Sequence, residues 1–127
     1  MSMIEAALRQ ALRSKCRQKV GAVLCAGGRV LAASPNIKRN DPVIDLRHAT
    51  FHAEEAVLRR VTRPAGATLY VARVSASGLP ALAKPCPRCQ IALASAQVRR
   101  VYFTVDRKNT EQMHPMQIGS ESTAHGI

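Results

Sequence analysis

Thr68-Leu69-Tyr70-Val71-Ala72-Arg73-Val74 and Val101-Tyr102-Phe103-Thr104-Val105 are the two stretches that decide the fold. Each is a short run rich in β-branched and aromatic residues, apolar on both alternating sides, as expected for a strand covered on both faces. Between them Ser75 to Lys84 reads as a loop. Cys86 to about Gln97 reads as a helix, with Pro87 well placed in its first turn. Strand, helix, strand in that order predicts two parallel strands joined by a crossover helix. Working upstream, Pro64 and Gly66 end a helix expected from Thr50 to about Arg63, with Ala53, Val57, Leu58 and Val61 available for burial. Val20–Ala26 and Val30–Ser34 flank Gly27-Gly28, a turn signal that predicts an antiparallel hairpin. Ser34-Pro35-Asn36 breaks the hairpin, and a polar loop follows to about His48. At the start, Ser2 and Glu5 have capping-box spacing. Ile4, Ala7, Leu8, Ala11 and Leu12 make one apolar face of a helix over about Ser2–Ser14. The predicted class is α/β, with a mixed sheet (an antiparallel hairpin plus parallel strands) and helices on both faces. The chain is expected to be a single domain over residues 1–127, with a loosely ordered end over about 106–127, where it turns polar and aperiodic and has room for one short element.

The composition narrows the class further. At 127 residues, 46% apolar and 21% charged, the chain is long enough to bury a core and unlike a disordered, collagenous or coiled-coil sequence. No apolar run approaches the roughly 20 residues that span a bilayer. Arg9, Arg13, Lys15 and Arg17 interrupt any signal-peptide core, so no membrane contact and a cytoplasmic location are expected. Nineteen basic residues face eight acidic ones, a net charge of +11. No acidic residue occurs between Arg9 and Lys38 or between Ala56 and Val105. Such a chain attracts anionic partners, although charge alone also describes a merely solvated surface. Phe51, Tyr70, Tyr102 and Phe103 are the only aromatic residues of these types and there is no Trp, too few for a platform that stacks several bases.

The chemistry concentrates in His52-Ala53-Glu54 and Pro85-Cys86-Pro87-Arg88-Cys89, each placed near the start of a predicted helix. His52, Cys86 and Cys89 form a nitrogen–sulfur ligand set suited to zinc, and three protein ligands leave one position for water, the mark of a catalytic site. Cys86 and Cys89, three apart, share a helix face, and the helix start favours their thiolate forms. Zinc brings the pKa of a bound water to around 7. Glu54, two residues from the imidazole, is placed to exchange protons with that water. A Cys-x-x-Cys pair has two other readings, a redox pair or half of a structural zinc site. The first leaves His52 and Glu54 without a role. The second needs a fourth ligand from Cys16, Cys25 or His48. Cys16 and Cys25 read better as small buried hydrophobes.

His-x-Glu followed by Pro-Cys-x-x-Cys is the signature of zinc-dependent nucleobase deaminases. Over about residues 2 to 105 the chain resembles the cytidine and deoxycytidylate deaminase superfamily. Ser14-Lys15-Cys16 with Lys19-Val20-Gly21-Ala22-Val23 resembles the opening block of the deoxycytidylate type. The resemblance implies a cytidine deaminase-like three-layer α/β/α fold, a Zn2+ cofactor on His52, Cys86 and Cys89, and hydrolytic deamination at C4 of cytosine or C6 of adenine. Glu54 would carry the protons. Asn36 matches an asparagine that contacts the nucleoside, and the backbone near Ala53 would meet the polar edge of the base. Asn36 reads equally well as an ordinary turn residue. Phe51 reads as core before pocket, and Glu55 as a surface residue of its helix.

The expected substrate is cytosine in a nucleoside or nucleotide, of the deoxycytidylate kind, with Lys38, Arg39, Arg47 or Arg88 as candidate holders of a phosphate. Cytosine in single-stranded DNA or RNA is the alternative that the charge favours. Adenosine in tRNA is a third, and a non-catalytic zinc-containing module that binds nucleic acid a fourth. Such families commonly assemble, so a homo-oligomer is compatible with the apolar helix faces. The chain lacks the Gly-rich, Cys-containing insertion of typical deoxycytidylate deaminases, so an allosteric nucleotide site is not expected.

Overall fold

The computed structural model describes residues 2–38, 50–106 and 109–115. Helix α1, Met3–Arg13, starts at Ser2, whose hydroxyl accepts the Glu5 N–H at 3.1 Å. Strands β1, Lys19–Ala26, and β2, Arg29–Pro35, form the antiparallel hairpin. Gly27 and Gly28 between them have φ of 59° and 75°, the positive angles that a tight primed turn demands. A two-residue pair follows, β3, Ile37–Lys38, with β4, Thr50–Phe51. Then come α2, Ala53–Arg59, β5, Thr68–Val74, β6, Pro80–Ala81, α3, Pro87–Ser95, β7, Arg100–Thr104, and β8, Thr110–Met113.

The main sheet runs β2-β1-β5-β7-β8, with β6 paired to β5. β5 and β7 are parallel and joined through α3, while β1 is antiparallel to both β2 and β5. The sheet is therefore mixed, as the sequence pattern predicts. Alternation along each strand assigns its two faces. Val23 and Cys25 of β1 and Ala72 of β5 pack with Ala7 of α1. Ala22 and Leu24 of β1, with Leu69 and Val71 of β5, pack with Ala53 and Val57 of α2 and Leu93 of α3. One helix thus covers one face and two cover the other, a three-layer arrangement. Tyr70 and Tyr102, opposite each other on β5 and β7, stack with ring centroids 5.1 Å apart.

Gly21 sets how closely α1 lies on the sheet. A Cβ at this position would stand 2.2 Å from the Ala7 carbonyl oxygen and 2.3 Å from the Ala11 nitrogen. Only a residue without a side chain lets the helix backbone come this near.

One expectation is corrected. The second helix is Ala53–Arg59 rather than Thr50 to about Arg63, because Thr50 and Phe51 pair with Lys38 and Ile37. At its far end, the ring of Pro64 would collide with the Arg60 carbonyl in a continued helix, and Val61 and Thr62 are β-branched. Within 106–127, the described residues 109–115 carry the edge strand β8, which pairs antiparallel with β7, and Pro115 beyond it is fully buried. Residues 116–127 lie outside the described residues, as does most of the polar loop after Asn36, with Arg39, Arg47 and His48. No helix among the described residues is long and apolar enough to cross a membrane.

Candidate active site

Two helix starts meet at the site. His52 is the N-cap of α2 and Cys86 the N-cap of α3, both in extended backbone conformation. Pro87 at the first position of α3 has no N–H to leave unsatisfied, and Cys89 follows in the same turn, fully buried. The folded chain brings together the three residues that the sequence names as ligands. His52 Nδ1 is 3.1 Å from Cys89 Sγ and 3.6 Å from Cys86 Sγ. All three candidate ligand atoms lie within 4.8 Å of one another. Bond lengths of about 2.0–2.3 Å on a tetrahedral zinc place its nitrogen and sulfur ligands about 3.6–3.8 Å apart, a spacing that the His52–Cys86 distance of 3.6 Å meets and from which the His52–Cys89 distance of 3.1 Å falls short by about 0.5 Å, so the set comes close to what that ion takes. Among the described residues the cluster has three members, which is the ligand count of a catalytic site. Cys16 and Cys25 are buried free thiols outside it.

Glu54, the second residue of α2, is only 5% exposed. Burial pushes its carboxyl up to about 6, against the lowering pull of its own backbone N–H and of the Cys89 thiol. The Cys89 thiol is pushed well up by burial and by the neighbouring Glu54 and Cys86. The Cys89 thiol and the Glu54 carboxyl, crowded into one buried place, resist ionising together, and a divalent cation is what reverses that balance. The donor set therefore fits zinc in its electrostatics and comes close to it in spacing.

This gives a pH prediction for the metal-stripped protein. Folding favours protonated Glu54, so its contribution is complete below about pH 4.5 and lost as pH rises through about 6. The loss is on the order of 2 kcal/mol. Metal-stripped Glu54→Gln should be the more stable form at pH 7.5 by about that amount, and the two urea-unfolding curves should converge below pH 4.5. A difference that does not vary with pH would contradict the assignment.

The cluster opens into a cavity of about 390 Å³ lined by His52, Ala53, Glu54 and Cys86, with Cys16, Arg17, Gln18, Val20 and Asn36 on one side and Arg73, Leu82, Ala83 and Lys84 on another. That volume is in the range of small-molecule sites. Ala53, at the first position of α2, has an N–H with no partner inside the helix. Asn36 is on the wall but is no exposed turn residue. Its Oδ1 accepts from the Ser14 hydroxyl and the Val20 N–H, and its Nδ2 donates to the Gln18 carbonyl at 2.7 Å. Of its two amide hydrogens, one remains for a ligand. Asn36→Ala should therefore cost about 2–3 kcal/mol of stability besides any effect on turnover, because it removes one buried and two part-buried hydrogen bonds. Urea denaturation checks this, and a loss under about 0.5 kcal/mol would remove the structural half of the role.

Sequence reasoning missed three cations. Arg17, Arg73 and Lys84 line the cavity, and the buried Nε of Arg73 meets no acceptor among the described residues. Lys84 is two residues before Cys86 and Arg17 follows Cys16, so proximity to the motifs was a usable signal for both. Nothing in the spacing points to Arg73, which the sheet brings there. Arg88, expected as a phosphate holder, instead pairs with Glu55 at 2.8 Å. Glu55, read as an ordinary surface residue, makes this link. The side chains of Lys38 and Phe51 lie outside the described residues.

Residues 1–105 match the family model described as the cytidine and deoxycytidylate deaminase zinc-binding region. A tRNA-specific adenosine deaminase of Agrobacterium fabrum is 33% identical over 107 residues, which cover 84% of this chain and 64% of the relative. The match thus spans less than two thirds of that protein's length. The crystal structure of dCMP deaminase from the cyanophage S-TIM5, in complex with dCMP and dUMP, is 26% identical at a TM-score of 0.61, covering 79% of this chain and 76% of that one. Cytidine deaminase from Burkholderia pseudomallei, 20% identical, shares the fold at a TM-score of 0.67 over 93% of this chain and 96% of its own.

Proposed function

Because this chain belongs to the family of the cytidine and deoxycytidylate deaminase zinc-binding region, we propose that it hydrolytically deaminates cytosine in a nucleotide. The observation that carries this reading is the joining of His52, Cys86 and Cys89 with buried Glu54, beside a cavity whose lining includes Arg17, Arg73 and Lys84. Zinc held by the three ligands would supply a water that is readily deprotonated at neutral pH.

The rest falls to the chain. Glu54 takes a proton from the attacking water on its carboxylate, delivers it to N3 of the pyrimidine, and later helps protonate the departing amine. A carboxyl raised by burial toward neutral pH suits a group that must both accept and return a proton. The Ala53 N–H meets the carbonyl edge of the base, and the remaining Asn36 amide hydrogen meets the sugar. Arg17, Arg73 and Lys84 offset the charge of a phosphate, and the buried Arg73 Nε is a donor that an anion would satisfy.

A second reading, adenosine in tRNA, is favoured by the 33% identity to the Agrobacterium fabrum enzyme. One panel separates the two: cytidine, deoxycytidylate, adenosine, tRNA and single-stranded DNA, each at low and high salt, with released ammonia as the readout. The nucleotide reading expects deoxycytidylate to react best, with little gain from longer substrates. Turnover confined to a polynucleotide and falling steeply with salt would overturn it.

A further inference from the structure

Three features take no part in the proposed reaction: the exposed Ile91 on α3, the buried thiol Cys25, and the Glu55–Arg88 pair that spans the two helix starts. The first has nothing to say what covers it and the second is a lone cysteine; the third joins two specific contacts at one carboxylate. Glu55 Oε1 accepts the backbone N–H of His52 at 3.2 Å and a guanidinium N–H of Arg88 at 2.8 Å. We infer that Glu55 and Arg88 are positioning residues, a clip that holds the helix start carrying the imidazole against the helix start carrying the two thiols before metal arrives.

The geometry explains why a clip is needed. The ligands come from segments 34 residues apart, as the His52–Cys86 separation records. Both arrive at helix N-termini, whose positive dipole ends repel each other when aimed at one place. Glu55 stands between them with a negative charge. Its bond to the His52 N–H fixes the backbone from which the imidazole projects. Its pairing with Arg88, the residue between Pro87 and Cys89, fixes the turn from which both sulfurs project. Partners that orient metal ligands in this way commonly change metal affinity by about 10–100-fold when removed. The side chains of Arg88 and Glu55 are 43% and 22% exposed, so the pair adds little to overall stability. Its effect is expected in the ligand geometry instead.

The inference rests on the zinc reading of His52, Cys86 and Cys89 and is independent of which base reacts. The test is zinc affinity of the full chain, by competition with a chromogenic chelator, alongside the thermal midpoint of the metal-stripped form. Glu55→Gln retains an acceptor for the His52 N–H but removes the charge, Arg88→Met removes the cation, and Arg88→Lys keeps a cation. Glu55→Gln and Arg88→Met should each weaken zinc binding about tenfold. The double variant should be no weaker than either single one, since both break the same link. Arg88→Lys should recover most of the affinity, and the metal-stripped midpoint should barely move. Zinc affinity within about twofold of the parent in both single variants would overturn the clip. So would additive losses in the double variant, or losses that merely follow a falling midpoint. If the three-ligand zinc site itself were wrong, the parent chain would fail to hold zinc at all, a result distinct from any of these.

Discussion

Glu54→Gln is expected to lower the rate of deamination about 10³-fold while zinc content and fold stay as they are. The side chain is nearly isosteric, so the buried space beside Cys89 remains filled. It is not among the three residues of the ligand cluster, so the metal should be retained. What disappears is the ability to accept a proton from water and return it to the ring and the amine. The loss belongs in kcat, since that work is done in the transition state rather than in binding. Metal analysis and steady-state kinetics on one preparation check both halves. A rate within about tenfold of the parent would remove Glu54 from the mechanism.

Gly21→Val is expected to be the most damaging single change to the fold. A Cβ here would lie 2.2 Å and 2.3 Å from backbone atoms of α1, and backbone cannot swing aside as a flexible side chain can. The helix must lift from β1, which opens the layer where Ala7 and Ala11 are completely buried. Overpacking of this kind costs about 3 kcal/mol or more, a large part of the stability of a small domain. Gly21→Ala should show much of the same loss, because the first carbon makes the collision. Urea-unfolding midpoints for both variants test this. A change under about 1 kcal/mol for Gly21→Ala would mean that α1 is held less tightly than these distances state.

Much of this was legible in the residues. The apolar, β-branched runs of β1, β5 and β7, the Gly27-Gly28 turn and Pro87 ahead of Cys89 each carry a local physical signal. So do His52 and Glu54, whose types and separation specify a ligand and a proton carrier. Other parts had no such signal. β3, β4 and β6 are two residues long, below the length at which alternation can be counted. β8 is a mostly exposed edge strand, Thr110-Glu111-Gln112-Met113, so no apolar face marks it. Asn36 was visible as a residue but not as the buried junction of Ser14, Gln18 and Val20, which depends on α1 and β1 meeting. Arg73 reaches the cavity, and Arg88 reaches Glu55, through tertiary packing that sequence spacing does not encode.

The central claim is that one zinc on His52, Cys86 and Cys89 is required for turnover. Its most direct test follows zinc per chain and deamination rate in the same samples as a chelator strips the metal and added zinc restores it. The rate should rise in proportion to occupancy and reach its full value at one zinc per chain, while Cys86→Ala should neither hold the ion firmly nor turn over. A stripped chain that keeps its full rate, or a Cys86→Ala variant that binds zinc and deaminates like the parent, would contradict it.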